Sequence, residues 1–333
     1  QDLISNDRSV VVVTRAGYIK RMPLDDEFST AQGRGTRGKA GAKLSDDEDE
    51  VHHFFTCNDH DSILFMTSQG ILHSVRAWQV PKATRTAKGV PLPSILPITM
   101  QAGDSVASVL PVSSFEQKDR FLLLVTSQGW IKKTPLDAFA SITARGLTAV
   151  NLGEGDEVQW ARICTSRDTV ILGTRDGYAA HFNTDDQQLR STGRQSRGVR
   201  SMKMRQGDVI VDMDVLPEGS DRDILIMTTL GYGKRATLSD FALRNRGGMG
   251  VIATKFKKAN EGEDALACLR GCSKDDEVMI STSNGIIVRQ KADAIARQSR
   301  AATGVLVQRL DKDSRITDVA LVPTRSTQDM EMP

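Results

Sequence analysis

The 333-residue chain is poor in the residues from which active sites are built. Its five histidines, His52, His53, His60, His73 and His181, form no H-E-x-x-H helix and no triad around a strained serine elbow, so no catalytic residue is assigned. Of its four cysteines, Cys57 and Cys164 stand alone. Cys268 and Cys272 share a "CLRGC" spacing with no second pair and no nearby histidine, which excludes a metal site and fits small core residues in a reducing compartment. No run of 18 uncharged apolar residues occurs, and no basic-flanked apolar segment at the N-terminus, so neither a membrane helix nor a signal peptide is expected and a soluble, intracellular protein is. The balance of 44 basic against 42 acidic residues leaves a net charge of +2, which by itself names no partner. The chain opens Gln-Asp-Leu-Ile, without Met, straight into a strand-like run, as expected of a piece of something longer.

What is present is repetition. Six segments align on an apolar run ending in Thr-x-x-Gly: "VVVVTRAGYIKR", "SILFMTSQGILHS", "FLLLVTSQGWIKK", "TVILGTRDGYAAH", "ILIMTTLGYGKR" and "VMISTSNGIIVR". Their anchors, Gly17, Gly70, Gly129, Gly177, Gly231 and Gly285, lie 48 to 59 residues apart. Each copy reads as a β-hairpin: an apolar, β-branched strand, a turn with glycine at positive φ, and a strand of mixed character. Tyr18, Trp130, Tyr178 and Tyr232 follow the turn glycine, a fixed place that suggests packing. Two further short apolar runs, separated by an acidic turn such as "GEGD", make about four strands per unit. Small repeated sheets need neighbours on both faces, so the expected fold is all-β, six-bladed and propeller-like. The WD signature is missing, because Trp78, Trp130 and Trp160 are followed by Gln, Ile and Ala. The repeats are placed at about 7–59, 60–117, 118–165, 166–220, 221–274 and 275–325, one domain spanning 1–325 with a tail over 326–333.

Between the second and third strands of each unit comes a loop of glycines and cations: "RGTRGKAG", "RTAKGV", "TARGL", "RQSRGV", "RNRGGMG" and "RQSRAATGV". The first, with Arg34, Arg37 and Lys39 among three glycines, is either a solvated connection or a backbone that closely approaches phosphates. It lacks the βαβ setting of a dinucleotide loop. Cations recur at matching places. The second hairpin strand carries Lys20, Arg21, Arg76, Lys132, Lys133, Lys234, Arg235 and Arg289; the loops carry Arg85, Lys88, Arg145, Arg194, Arg197, Arg246 and Arg300. The fourth unit has no cation in its hairpin arm but is rich in Arg190, Arg194, Arg197 and Arg200. Charge at equivalent positions of successive blades forms a belt, the expected footprint of a polyanion partner.

At this point the chain resembles the C-terminal DNA-wrapping domain of the A subunit of bacterial-type DNA gyrase, a type IIA topoisomerase, over nearly its whole length. That family carries a heptad, Gln-Arg-Arg-Gly-Gly-Lys-Gly, in its first repeat. Here Gln32, Arg34, Gly35 and Gly38 match, Arg37 replaces lysine, and Gly33 and Thr36 depart, with Lys39 just outside. "RNRGGMG" at 244–250 is a weaker echo. The resemblance implies a β-pinwheel whose blades exchange a strand, and a non-catalytic domain that binds and wraps duplex DNA independently of sequence. It further implies that this step supports ATP-dependent negative supercoiling. The breaking tyrosine and the ATPase, with their ATP and Mg, lie outside this chain, which itself takes no cofactor or metal. The implied partners are duplex DNA and, within an A2B2 tetramer, the remainder of the gyrase A chain together with gyrase B, with no membrane. The implied location is the bacterial cytoplasm at the nucleoid, or an organelle in a plant or alga. A stiff duplex costs on the order of 10 kcal/mol to bend half a turn around so small a body, which one loop cannot offset and a belt can. Three other readings stay open: the corresponding domain of topoisomerase IV, a protein-interaction propeller, and a propeller enzyme acting on a small molecule.

Overall fold

The computed structural model describes residues 3–24, 51–96 and 100–322. The first strand of each repeat spans Arg8–Thr14, Ser62–Thr67, Phe121–Thr126, Thr169–Thr174, Asp223–Thr228 and Glu277–Thr282. These strands are apolar at nearly every position because both faces are covered. Alternate side chains point to opposite faces. Ile63 and Phe65 therefore pack with Val11 and Val109, while Leu64 and Met66 pack with Leu122 and Leu124. Likewise Ile224 and Ile226 join Ile171 and Leu269, and Leu225 and Met227 join Val278 and Ile280.

The Thr-x-x-Gly register is a turn built the same way six times. The glycine N–H donates to the threonine carbonyl at 3.0–3.1 Å, and each of the six anchor glycines has a φ between 81° and 97°. The threonine hydroxyl then accepts the N–H of the residue after the glycine, at 3.1 Å from Trp130 and 3.2 Å from Tyr178. Threonine is thus selected for its Oγ as well as its β-propensity, and glycine for the left-handed backbone.

The acidic turn before the third long strand is a clip. Asp156 accepts from Ser127 Oγ at 3.0 Å, from the Gln128 N–H at 3.0 Å and from the Glu157 N–H at 2.9 Å, tying the hairpin turn to the start of Val158–Cys164. Asp104 and Asp264 make the same three bonds in repeats two and five. Asp156→Ala strands a hydroxyl and two N–H groups at a buried position, so a loss of about 2–3 kcal/mol is expected from urea unfolding. An unchanged urea midpoint counts against the clip.

Each sheet takes three long strands from its own repeat, and in the first five sheets a short fourth strand is imported from between the second and third long strands of the next repeat. Val90–Pro91, Leu147–Thr148, Val199–Arg200, Val251–Ile252 and Val305–Leu306 each join the sheet of the preceding repeat, in the order third, first, second, imported. Every sheet is antiparallel in its long pairings. Five sheets have four strands, and the sixth has three among the described residues. The expected six blades and strand exchange are therefore present. The chain falls into two compact units: one holds the first three sheets and includes Arg190–Val199, and the other holds the last three, from Ser166–Leu189 and Arg200 onward.

Candidate nucleic-acid interface

Each imported strand is preceded by the basic loop, and the loop is fastened by the strand that receives it. In sheets one, three and five the third residue of the receiving strand is a lysine. Lys20 Nζ donates to the Arg85 and Ala87 carbonyls at 2.7 and 2.9 Å, with Thr84 O at 3.4 Å. Lys132 Nζ lies 3.0 Å from the carbonyls of Gly193, Arg194 and Ser196 and 2.8 Å from that of Ala149. Lys234 Nζ reaches the carbonyls of Ser299 at 2.9 Å and Ala302 at 2.7 Å, and that of Arg300. The same three loop positions are used in all three sheets. Burial, helped by the adjoining Arg194 or Arg300 charge, lowers Lys132 and Lys234 to about 8; burial and Arg85 lower Lys20.

Glycine closes the loop because the backbones nearly touch. A Cβ on Gly198 would sit 2.4 Å from the Ile131 carbonyl oxygen, and one on Gly89 2.4 Å from that of Ile19, both at positive φ. The glycine next to each cation is therefore a contact requirement of strand exchange, independent of any ligand.

This construction corrects part of the expected belt. Lys132, Lys133, Lys234 and Arg21 are buried, at 0–5% exposure, and none faces a surface partner. Arg21 pairs with buried Asp59 at 3.0 Å and donates to the Val80 carbonyl; Lys133 lies over the Phe121 ring at 4.4 Å. Arg235 shares Asp223 with Arg297 at 3.0 and 2.7 Å. Lys20, half-buried, has its ammonium committed to the loop carbonyls. Arg246 donates to the carbonyls of Gln188 and Arg200, Arg300 to that of Ile252, and Arg194 to that of Thr148 at 3.4 Å. Arg76 and Arg289 are exposed, the first bonded to the His60 carbonyl and the second 3.7 Å from Glu277. These cations shape the loops. The arginines credited to repeat four, Arg194, Arg197 and Arg200, lie on the segment that reaches sheet three.

A second set faces solvent. Arg85, Lys88, Arg145 and Arg197 are exposed, and their side chains have no hydrogen bond or ion pair among the described residues. Arg200 is exposed beside them in sequence. Lys88 lies 4.2 Å over the Tyr18 ring and Arg197 4.0 Å over Trp130. In the second unit Arg205 covers Tyr178 at 3.3 Å and Lys257 covers Tyr232 at 4.5 Å. The aromatic after the turn glycine, expected only to pack, is a shelf for a cation in four repeats. In repeats one and three the cation comes from the next repeat's loop, and in repeats four and five from the same repeat, so no single sequence spacing marks the pairing. Gln32, Arg34, Gly35, Arg37, Gly38 and Lys39 lie outside the described residues.

All four cysteines are buried and none forms a disulfide, with burial pushing Cys57 and Cys272 up to about 12 and Cys268 higher still. Among the described residues no cluster of three or more His, Cys, Asp or Glu could hold a metal ion, and no helix is long and apolar enough to cross a membrane.

The family model described as DNA gyrase C-terminal domain, beta-propeller, matches this chain over residues 8–58, 61–113, 120–165, 168–217, 222–267 and 276–323. The DNA gyrase A protein of Synechocystis sp. is 43% identical over 359 residues, covering 99% of this chain and 41% of that protein. The chain thus spans about two fifths of the length of such curated relatives. A solved DNA gyrase A C-terminal domain aligns with a TM-score of 0.72 at 25% identity, covering 95% of this chain and all of that one. The C-terminal domain of DNA topoisomerase IV aligns with a TM-score of 0.78 at 24% identity over 98% of this chain and 97% of that one, a likeness of fold alone. Six matched repeats in the register of the six Thr-x-x-Gly hairpins leave one conclusion: the chain belongs to the DNA gyrase A C-terminal domain family.

Proposed function

We propose that this chain binds duplex DNA through the exposed cations of its strand-exchange loops and bends it into a wrapped path, the step that lets a gyrase introduce negative supercoils at the expense of ATP. The observation behind this reading is that the loops reaching sheets one, two and three each present exposed cations whose side chains make no hydrogen bond or ion pair among the described residues: Arg85 and Lys88, then Arg145, then Arg197. Long, solvated cations with free N–H groups suit phosphate, and among the described residues no recognition helix accompanies them, so contact falls on the backbone of any sequence. In this reading the domain handles the substrate. The breaking tyrosine, the ATPase and their Mg belong to the remainder of the gyrase A chain and to gyrase B in an A2B2 enzyme, working at the nucleoid in bacteria or in an organelle. The heptad residues Gln32–Gly38, outside the described residues, add further DNA contacts in this reading, with Arg34 and Arg37 meeting phosphate.

The test is topological. Nicked circles relaxed with the domain bound, then ligated, are expected to show a shifted linking number that grows with bound protein. Binding without a shift reduces the domain to a passive DNA binder. No binding of random duplex near 50 mM salt, a concentration at which phosphate contacts are barely screened, overturns the reading and favours a protein-interaction propeller.

A further inference from the structure

Arg197 has two close neighbours. Its guanidinium lies 4.0 Å over the Trp130 ring. Gly153 lies against the same guanidinium: a Cβ there would come within 2.4 Å of Nη2, 2.9 Å of Cζ and 3.3 Å of Nε. Gly153 does not take a positive φ, so its backbone would accept alanine; the arginine is what a Cβ would meet. Arg197 is nonetheless exposed, and its side chain makes no hydrogen bond or ion pair among the described residues. A guanidinium placed against a ring and a bare backbone, with its N–H groups unused, is a fork held ready for a planar or tetrahedral oxyanion.

We propose that the slot between Trp130 and Gly153 pre-orients Arg197 as a bidentate grip for a DNA phosphate, with Trp130 and Gly153 as its positioning residues. The inference rests on the DNA-binding reading and adds to it which contact is pre-formed, and by what. Lys88 over Tyr18 is the blade-one counterpart: each cation immediately precedes the loop glycine, Gly89 or Gly198, and each ring follows the hairpin glycine. Freezing a long side chain in its bound geometry removes part of the entropy lost on association, so the slot strengthens binding without adding charge.

That distinction sets the experiment. Affinity for random-sequence duplex is measured at several salt concentrations for R197Q, W130L, G153A and W130F, with urea unfolding of each variant alongside. R197Q removes a phosphate contact and is expected to weaken binding about eightfold near 0.1 M salt and to flatten the log–log salt slope by about 0.9. W130L and G153A keep the charge and lose only its placement. Both are expected to weaken binding about threefold to fivefold with the slope unchanged and to add nothing when combined with R197Q, while W130F keeps a ring under the guanidinium and binds like the parent. G153A touches no core residue and decides the matter should W130L unfold. If R197Q weakens binding while G153A binds like the parent, Arg197 meets DNA without help from the slot and the proposal falls with the DNA reading intact. If R197Q is silent in a domain that still binds, the grip lies elsewhere and the proposal again falls. If the unmodified chain does not bind duplex, both readings fall together.

Discussion

Lys132→Met is expected to destabilise the first unit by about 3 kcal/mol and to free the loop around Arg194 and Arg197 from sheet three. Methionine keeps the length and apolar stem of the side chain but removes three donors, leaving the carbonyls of Ala149, Gly193, Arg194 and Ser196 without their shared partner. Lys132 is 2% exposed, so water cannot replace the ammonium until the loop moves. Loop opening is therefore the relief available, and it unseats Arg197 from Trp130. Amide exchange over 192–199 is expected to accelerate together with the loss in urea stability. Lys20→Met is expected to cost less, since Lys20 is half-buried and water already reaches its loop. If Lys132→Met leaves both stability and exchange unchanged, the lysine is not the fastener and its burial is incidental.

The contrast between these lysines and the exposed cations marks what the sequence could and could not disclose. Six Thr-x-x-Gly hairpins were legible because turn chemistry is local: the hydroxyl, the left-handed glycine and the apolar strand lie within a dozen residues. The central apolar runs were equally clear, since burial on both faces selects apolar residues along the middle of each strand. The fate of Lys132 was not. Its partners lie 17 to 64 residues away, and only strand exchange brings them to it. Read along the chain, Lys132 and Arg197 are two charges of one belt; in three dimensions one is a fastener and the other is what it presents. The loop spacing alone does not carry the distinction: lysine meets Arg-x-x-x-Gly loops at 85–89, 194–198 and 300–304, but the loop with the same spacing at 246–250 meets a strand with Ala180 at that position, and the loop ending at Gly146 faces His73. The acidic turns read along the chain only as separators between apolar runs, whereas the bonds to Asp156 make that carboxylate part of the hairpin.

Replacing Arg85, Lys88, Arg145 and Arg197 together with glutamine is expected to have the largest effect on function. None of the four side chains makes a hydrogen bond or ion pair among the described residues, and the Arg85 carbonyl that Lys20 uses is kept, so the fold should be preserved, with a nearly unchanged urea midpoint and unchanged exchange at the lysine fasteners. Each phosphate contact contributes about 0.9 to the salt slope, so losing four should flatten it by about 3.6 and weaken random-duplex binding about four-thousandfold near 0.1 M salt. The consequence for bending should be steeper than for binding. A straight duplex can still settle on the remaining cations, including those of the second unit, whereas a bent one must offset several kcal/mol of elastic energy along the segment it follows. Contacts spread over three successive sheets act on that segment jointly: each holds the duplex where the next can reach it, and with all of them gone the path straightens before the remaining cations are engaged. At protein concentrations raised to restore full occupancy, the fourfold variant is therefore expected to show no shift in linking number. In the complete enzyme it should lose ATP-dependent supercoiling and retain ATP-independent relaxation. A fourfold variant that binds weakly yet shifts linking number normally once saturated would place the bend on other residues and leave these loops as tethers only.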